Sequence, residues 1–281
     1  VRVRVPTLML AAAGAALVAP AALPGPAAAV SPRERPVARG EGAVAAADLL
    51  ARLGECTLVS RGRYRTDADS RAAVPVCGTR DAVYWKADLD VDCDGRSTAR
   101  CNRRTDPLFA ATTAFQQSDG RHLNAERLPY IVVPAPSRIW DYRAYGVRGG
   151  SVAAVLYRGQ VRYAVVGDTG PRDLIGEASY ATAQALGIRP DPSDGGADSG
   201  VTYIVFKDSP VRPIEDHAAA VAAGERLARL FVANRSPAAP TRTAPGGSPS
   251  DRSGPRPPRV RAIEDHAAVG ERPARVFLGK R

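Results

Sequence analysis

The sequence predicts a mainly β, barrel-like domain with a few short helices. Three observations carry that prediction. Short apolar runs rich in β-branched residues recur at close spacing, helical stretches are few, and Arg158-Gly159 joins two runs as a two-residue hairpin loop. At 281 residues the chain has room for one or two domains, and its 44% hydrophobic content is ordinary for a globular protein.

Residues 1–29 read as a signal peptide. Arg2 and Arg4 open it, an apolar small-residue stretch follows from Leu8 to about Leu23, and Ala27-Ala28-Ala29 supplies a cleavage site. Pro20 and Pro24 break the apolar run, which is too short to span a bilayer well. A secreted protein starting near Val30 is therefore expected, with residues 30–44 as a polar linker, 45–232 as the folded domain and 233–281 as a disordered tail.

Within the domain, Ala45–Leu53 is a short amphipathic helix ended by Gly54. Cys56, Cys77, Cys93 and Cys101 form an even set, in keeping with an oxidising compartment. Of the three pairings, Cys56–Cys77 with Cys93–Cys101 is favoured because each closes a short loop without crossing the other. The polar, turn-rich stretch between Cys56 and Cys77 is then held by its disulfide. A zinc site is disfavoured, since C-x-x-C spacing and a nearby His are both missing.

Ala82–Val91 is a strand with Asp88, Asp90 and Asp92 on one face. Asp90, Asp92, Asp94 and Gly95 have calcium-loop spacing. The twelfth loop position, where an EF-hand needs Glu, is Cys101, and flanking helices are missing, so a turn held by Cys93 is preferred. Thr105–Gln117 is expected as a helix and Leu128–Pro134 as a strand bracketed by prolines. Ser151–Tyr157 and Gln160–Val166 make the hairpin. A polar turn carrying Asp168 follows, then a helix Ala178–Leu186 stopped by Gly187. Asp191–Gly200 is a loop and Val201–Phe206 the last strand. Ile214–Val232 is an amphipathic helix anchored by Leu227, Leu230 and Phe231. Its IEDHAA and GER-x-AR segments recur in residues 263–275, where Pro273 interrupts the pattern.

The formal charge of +10 lies in the ends of the chain. Residues 1–80 hold 11 Lys and Arg against 6 Asp and Glu, and 209–281 hold 13 against 7, whereas 81–208 hold 15 against 16. The segment that looks folded has no basic stripe with interleaved aromatics, which argues against nucleic acid as a partner. Motifs of serine, zinc and phosphate-loop enzymes are missing as well.

Two carboxylates remain. Asp168 reads either as a catalytic group at a strand exit or as a turn residue bonding backbone N–H groups. Glu177, flanked by Ile175, Gly176 and Ala178, reads either as a proton-bearing acid among apolar neighbours or as a first-turn Glu favoured by a helix dipole. As a pair they suit acid/base work on a glycosidic bond. Tyr84 and Trp140, with Trp85, Tyr142 and Tyr145, offer sugar-stacking faces.

The blocks ADLDVDCDG (87–95), LPYIVVP (128–134), GDTGP with IGEASYATAQALG (167–187) and GGADSGVTYIVF (195–206) resemble glycoside hydrolase family 75, the secreted chitosanases of fungi and actinomycete-type bacteria. The resemblance implies endo-hydrolysis of β-1,4-linked glucosamine polymer with inversion, no cofactor or metal, and Asp168 and Glu177 as the essential carboxylates. The strand–GD-x-G–helix layout is similar to double-psi β-barrel hydrolases. A monomer with no membrane partner is expected. Because the polymer is cationic, Asp88, Asp90, Asp92, Asp194 and Asp198 are expected to line an acidic cleft.

Overall fold

A computed structural model describes residues 41–234. In chain order the elements are α1 (Ala46–Leu53), β1 (Cys77–Gly78), β2 (Ala82–Asp92), β3 (Tyr130–Pro134), a 3-10 turn (Tyr142–Tyr145), β4 (Ser151–Tyr157), β5 (Gln160–Gly170), β6 (Glu177–Ser179), α2 (Tyr180–Ala185), β7 (Ala197–Pro210) and α3 (His217–Ala233). Six strands close on themselves in the order β2–β6–β3–β5–β4–β7, with β7 returning to β2; β1 flanks β2 outside the ring. This is the closed, mainly β barrel expected. Closure leaves the six strands without a free edge.

Parallel and antiparallel pairs alternate around one side of the ring. β2 runs parallel to β6, β6 antiparallel to β3, and β3 parallel to β5. The β4–β5 hairpin turns at Arg158 (φ 46°) and Gly159 (φ 78°), both left-handed as a type I′ turn requires. Val155, Tyr163, Val165, Tyr203, Ile204 and Val205 are fully buried, divided between the two faces of the barrel wall. Trp85 stacks on Tyr203 with ring centroids 5.2 Å apart. The two disulfides join Cys56 to Cys77 and Cys93 to Cys101.

Five expectations change. The stretch Thr105–Gln117 is not a helix, because side chains take its backbone donors. Asp106 accepts from Leu108 N (2.8 Å), Asp94 from Ala110 N (2.8 Å) and Asp168 from Ala114 N (2.7 Å). Residues 41–44 are no free linker. Glu41 N donates to Val161 O at 3.0 Å, and Ala43 N donates to Glu225 Oε1 at 3.0 Å.

The third change concerns β5, which does not stop at Val166. β3 pairs alongside it as far as Gly170, so Asp168 sits inside a strand rather than on a turn. The fourth concerns the next helix, which starts at Tyr180. Ser179 Oγ caps it by accepting from Thr182 N, and Glu177 is left as the first residue of β6. The last strand also outgrows its expected range, so Asp198 belongs to β7, at a register irregularity between Ala87 and Leu89 of β2. The N-terminal apolar segment and the repeated tail lie outside the described residues. Among the described residues no helix is long and apolar enough to cross a membrane.

Candidate active site

Asp168 and Glu177 lie nine positions apart in sequence, but the intervening chain is not what brings them together. β3, from some forty residues upstream, inserts between β6 and β5. Across four neighbouring strands the register runs Asp90↔Glu177, Ala178↔Ile131 and Val132↔Asp168. Residues opposite one another in a ladder share a face, and that face reverses with each step along a strand. Asp90, Glu177, Val132 and Asp168 therefore form one row on one face of the sheet.

Two glycines shape that row. Between Val166 and Asp168 the β3–β5 register slips by one residue, leaving Gly167 as the extra member of a bulge that re-aims Asp168. A β-carbon on Gly167 would stand 2.6 Å from Tyr130 Cβ and 2.7 Å from Leu123 Cδ1, so only glycine fits. Gly170, on the same face as Asp168, makes room for the partner acid. A β-carbon there would stand 2.5 Å from Glu177 Oε2 and 3.2 Å from Val132 Cγ1. The Glu177 carboxylate thus reaches over Val132 to Gly170, two residues, or about 7 Å, along β5 from Asp168.

Both acids are buried, Asp168 at 1% exposure and Glu177 at 5%. Asp168 Oδ1 accepts from Ala114 N and from Thr169 N, each at 2.7 Å. Two N–H donors on one oxygen suit an ionised, acceptor-only carboxylate. Around Glu177 the company is acidic. Asp90 is its ladder partner, and Asp88 is one of three aspartates, with Asp67 and Asp90, whose oxygens lie within 4.8 Å of one another. Burial, then the neighbouring charges of Asp90 and Asp67, push the Asp88 carboxyl up to about 9.

The other expected site residues are scattered. Asp92 is buried, and its Oδ1 accepts from Asp94 N at 2.8 Å. Asp194 is exposed and ion-paired with Arg189 at 2.7 Å; Asp198 is exposed on β7. Tyr84 lies in the core with its hydroxyl donating to Leu53 O at 3.0 Å. Trp140 is also in the core, within 6.4 Å of the Trp85, Tyr142 and Tyr145 rings. Sequence reasoning missed Ala114, whose N–H reaches Asp168 from an irregular loop, and Asp67, which no motif marks. Gly167 and Gly170 were visible in GDTGP, but their reasons were not.

The fold and the site together define a class: a closed β-barrel presenting a pair of buried carboxylates suited to general acid and base chemistry on one bond. Residues 89–228, about half of the chain, match the family described as fungal chitosanase of glycosyl hydrolase group 75, and the chain belongs to that family. It is 32% identical over 126 residues to endo-chitosanase B of Aspergillus oryzae, covering 42% of this chain and 52% of that protein. To endo-chitosanase C of the same species it is 32% identical over 129 residues, 44% of this chain and 31% of the relative. An endo-chitosanase of Aspergillus fumigatus is 28% identical over 143 residues, 46% and 60% of the two chains. The matches thus span from about a third to three fifths of these relatives.

Proposed function

We propose that the chain is a secreted, endo-acting chitosanase that hydrolyses β-1,4 linkages between glucosamine units with inversion, using Glu177 as general acid and Asp168 as general base. The observation that carries this reading is that the ladder register puts both carboxylates on one barrel face, with the Glu177 carboxylate against Gly170, two residues along β5 from Asp168. Inverting glycosidases need about 6.5–9.5 Å between carboxyls, room for a water opposite the acid. The roles follow from the asymmetry of surroundings. Asp168 is held by two N–H donors and serves as the base that activates water. Glu177, buried at 5% exposure, takes the complementary role of the acid that protonates the leaving oxygen.

Substrate and compartment rest on the family and on chemistry. The relatives' names specify chitosan, and two disulfides suit an oxidising, extracellular setting. Two surface cavities, of about 520 and 380 Å³, are poorer candidates for the polymer. Neither is lined by Asp168 or Glu177, and the smaller carries Arg148 and Arg212 with no acid in its lining, which repels a polycation.

The test compares reducing ends released from chitosan, chitin and peptidoglycan by the wild type, Asp168→Asn and Glu177→Gln. Release from chitosan by the wild type alone is expected. Equal release by both variants would remove the carboxylates from the mechanism, and release from peptidoglycan alone would replace the substrate. NMR of the first-formed anomer distinguishes inversion from retention.

A further inference from the structure

We infer that Asp67, Asp88 and Asp90 form a divalent-cation site of the calcium class, distinct from the carboxylate pair. The three side chains come from two separate parts of the chain, the Thr66–Ser70 loop and β2, and each places a carboxylate oxygen within 4.8 Å of the other two. An acidic cluster alone would be unremarkable on a surface. Here Asp88 is 95% buried by its 5% exposure, and its Oδ1 has no hydrogen-bond partner. A buried carboxylate oxygen without a partner is costly, and a cation is the ligand that offsets the cost. Asp88 Oδ1 also packs against Gly176, where a β-carbon would collide with it. Oxygen-only donors with no His or Cys select a hard cation, and three carboxylates with unequal exposure suit the flexible coordination of calcium better than the strict octahedron of magnesium.

The calcium-loop spacing in the sequence pointed nearby but chose the wrong members. Asp92 and Asp94 turn to backbone N–H groups, of Asp94 and Ala110 respectively, and only Asp90 of that run joins the cluster. The site's position also gives it a task. Arg65, two residues before Asp67, bridges to the strip preceding Glu177: Arg65 N donates to Asp173 O and Ile175 N donates to Arg65 O, both at 3.0 Å. Asp90 N donates to Gly176 O at 2.8 Å from the other side. An ion shared by the loop and β2 would clamp the strip that delivers Glu177.

Terbium luminescence tests the site on the full chain without substrate, so the result is independent of the chitosanase reading. Tyr203 donates its hydroxyl to the Asp88 carbonyl at 2.9 Å and stacks on Trp85, placing two sensitisers beside the ion. Excitation of these rings should give terbium emission that calcium displaces. Affinity should fall at least tenfold in Asp67→Asn and in Asp88→Asn, and stay unchanged in Asp119→Asn, an exposed aspartate paired with Arg121. Calcium at a hundredfold excess over its Kd should raise the wild-type Tm by about 5 °C or more. Asp67→Asn, on a loop, keeps the test valid if Asp88→Asn fails to fold. Folded wild type with no emission and no Tm shift would overturn the assignment, as would binding unchanged in both variants. Absent metal binding with a raised KM for chitosan in Asp67→Asn would also overturn it, giving the cluster to the substrate's ammonium instead.

Discussion

Asp168 and Asp88 are both buried aspartates on strands of one barrel, and the fold treats them oppositely. Asp168 has two backbone N–H donors on a single oxygen, one of them brought by a loop from more than fifty residues away. Asp88 has an oxygen with no donor at all and two further aspartates around it. The first arrangement maintains a carboxylate ready to act, and the second maintains a carboxylate that needs a proton or a cation. Burial by itself therefore says little about what an acid does in this protein; the donors supplied to it decide.

The comparison breaks most sharply at the proposed catalytic pair. Asp168→Asn and Glu177→Gln should each cut release of reducing ends from chitosan by about a hundredfold or more while leaving the circular dichroism and Tm near wild type. If either variant keeps more than a tenth of the activity, the pairing argued from the row of strands fails. Gly170→Ala asks the same question through space. Its new methyl group would stand 2.5 Å from Glu177 Oε2, and displacement of that carboxylate should lower kcat about tenfold, with KM moved less. An unchanged kcat would mean that Glu177 does not need the place it occupies.

Stability probes the other half of the comparison. Removing Cys56–Cys77, which closes a 21-residue separation around Asp67, should cost about 3 kcal/mol in denaturant unfolding. It should also weaken terbium binding more than the Cys93–Cys101 double variant does. In chelator-treated protein, pH provides a finer measure. The folded Asp88 keeps its proton up to about 9, against 3.8 for the ordinary group. Between those values the unfolded chain has released a proton that the native state still holds, so stability falls as pH rises. The Tm should therefore drop from about pH 5 to about pH 9, and Asp88→Asn should flatten that slope. An identical slope in the variant would show that Asp88 is not the group responsible. The smallest effect is expected at two exposed acids. Asp194→Lys with Asp198→Lys, both exposed and screened, should raise KM for chitosan about two- to threefold with kcat intact. No change would remove these two acids from the polymer's path.

Much of the barrel was legible because local chemistry and final structure agree. The hairpin at Arg158-Gly159, the apolar runs of β2, β3 and β4, the stop at Gly187 and the uncrossed disulfides each depend on residues close in sequence. Where the reading failed, a distant partner had intervened. Thr105–Gln117 has the composition of a helix but gives its N–H groups to Asp106, Asp94 and Asp168. Asp168 looked like a turn residue until β3 was laid beside it.

By itself the sequence determined the class of chemistry and its two candidate acids. Residue type, glycine punctuation and strand-forming composition are local properties, and they survive being read one after another. Tertiary structure alone decided the working geometry: that Glu177 opens a strand, that its carboxylate rests over Gly170, that Ala114 holds Asp168, and that Asp67 meets Asp88 and Asp90. Those facts come from the register of a closed ring and from loops folded against it, each set by neighbours remote in sequence, and no window along the chain contains that information.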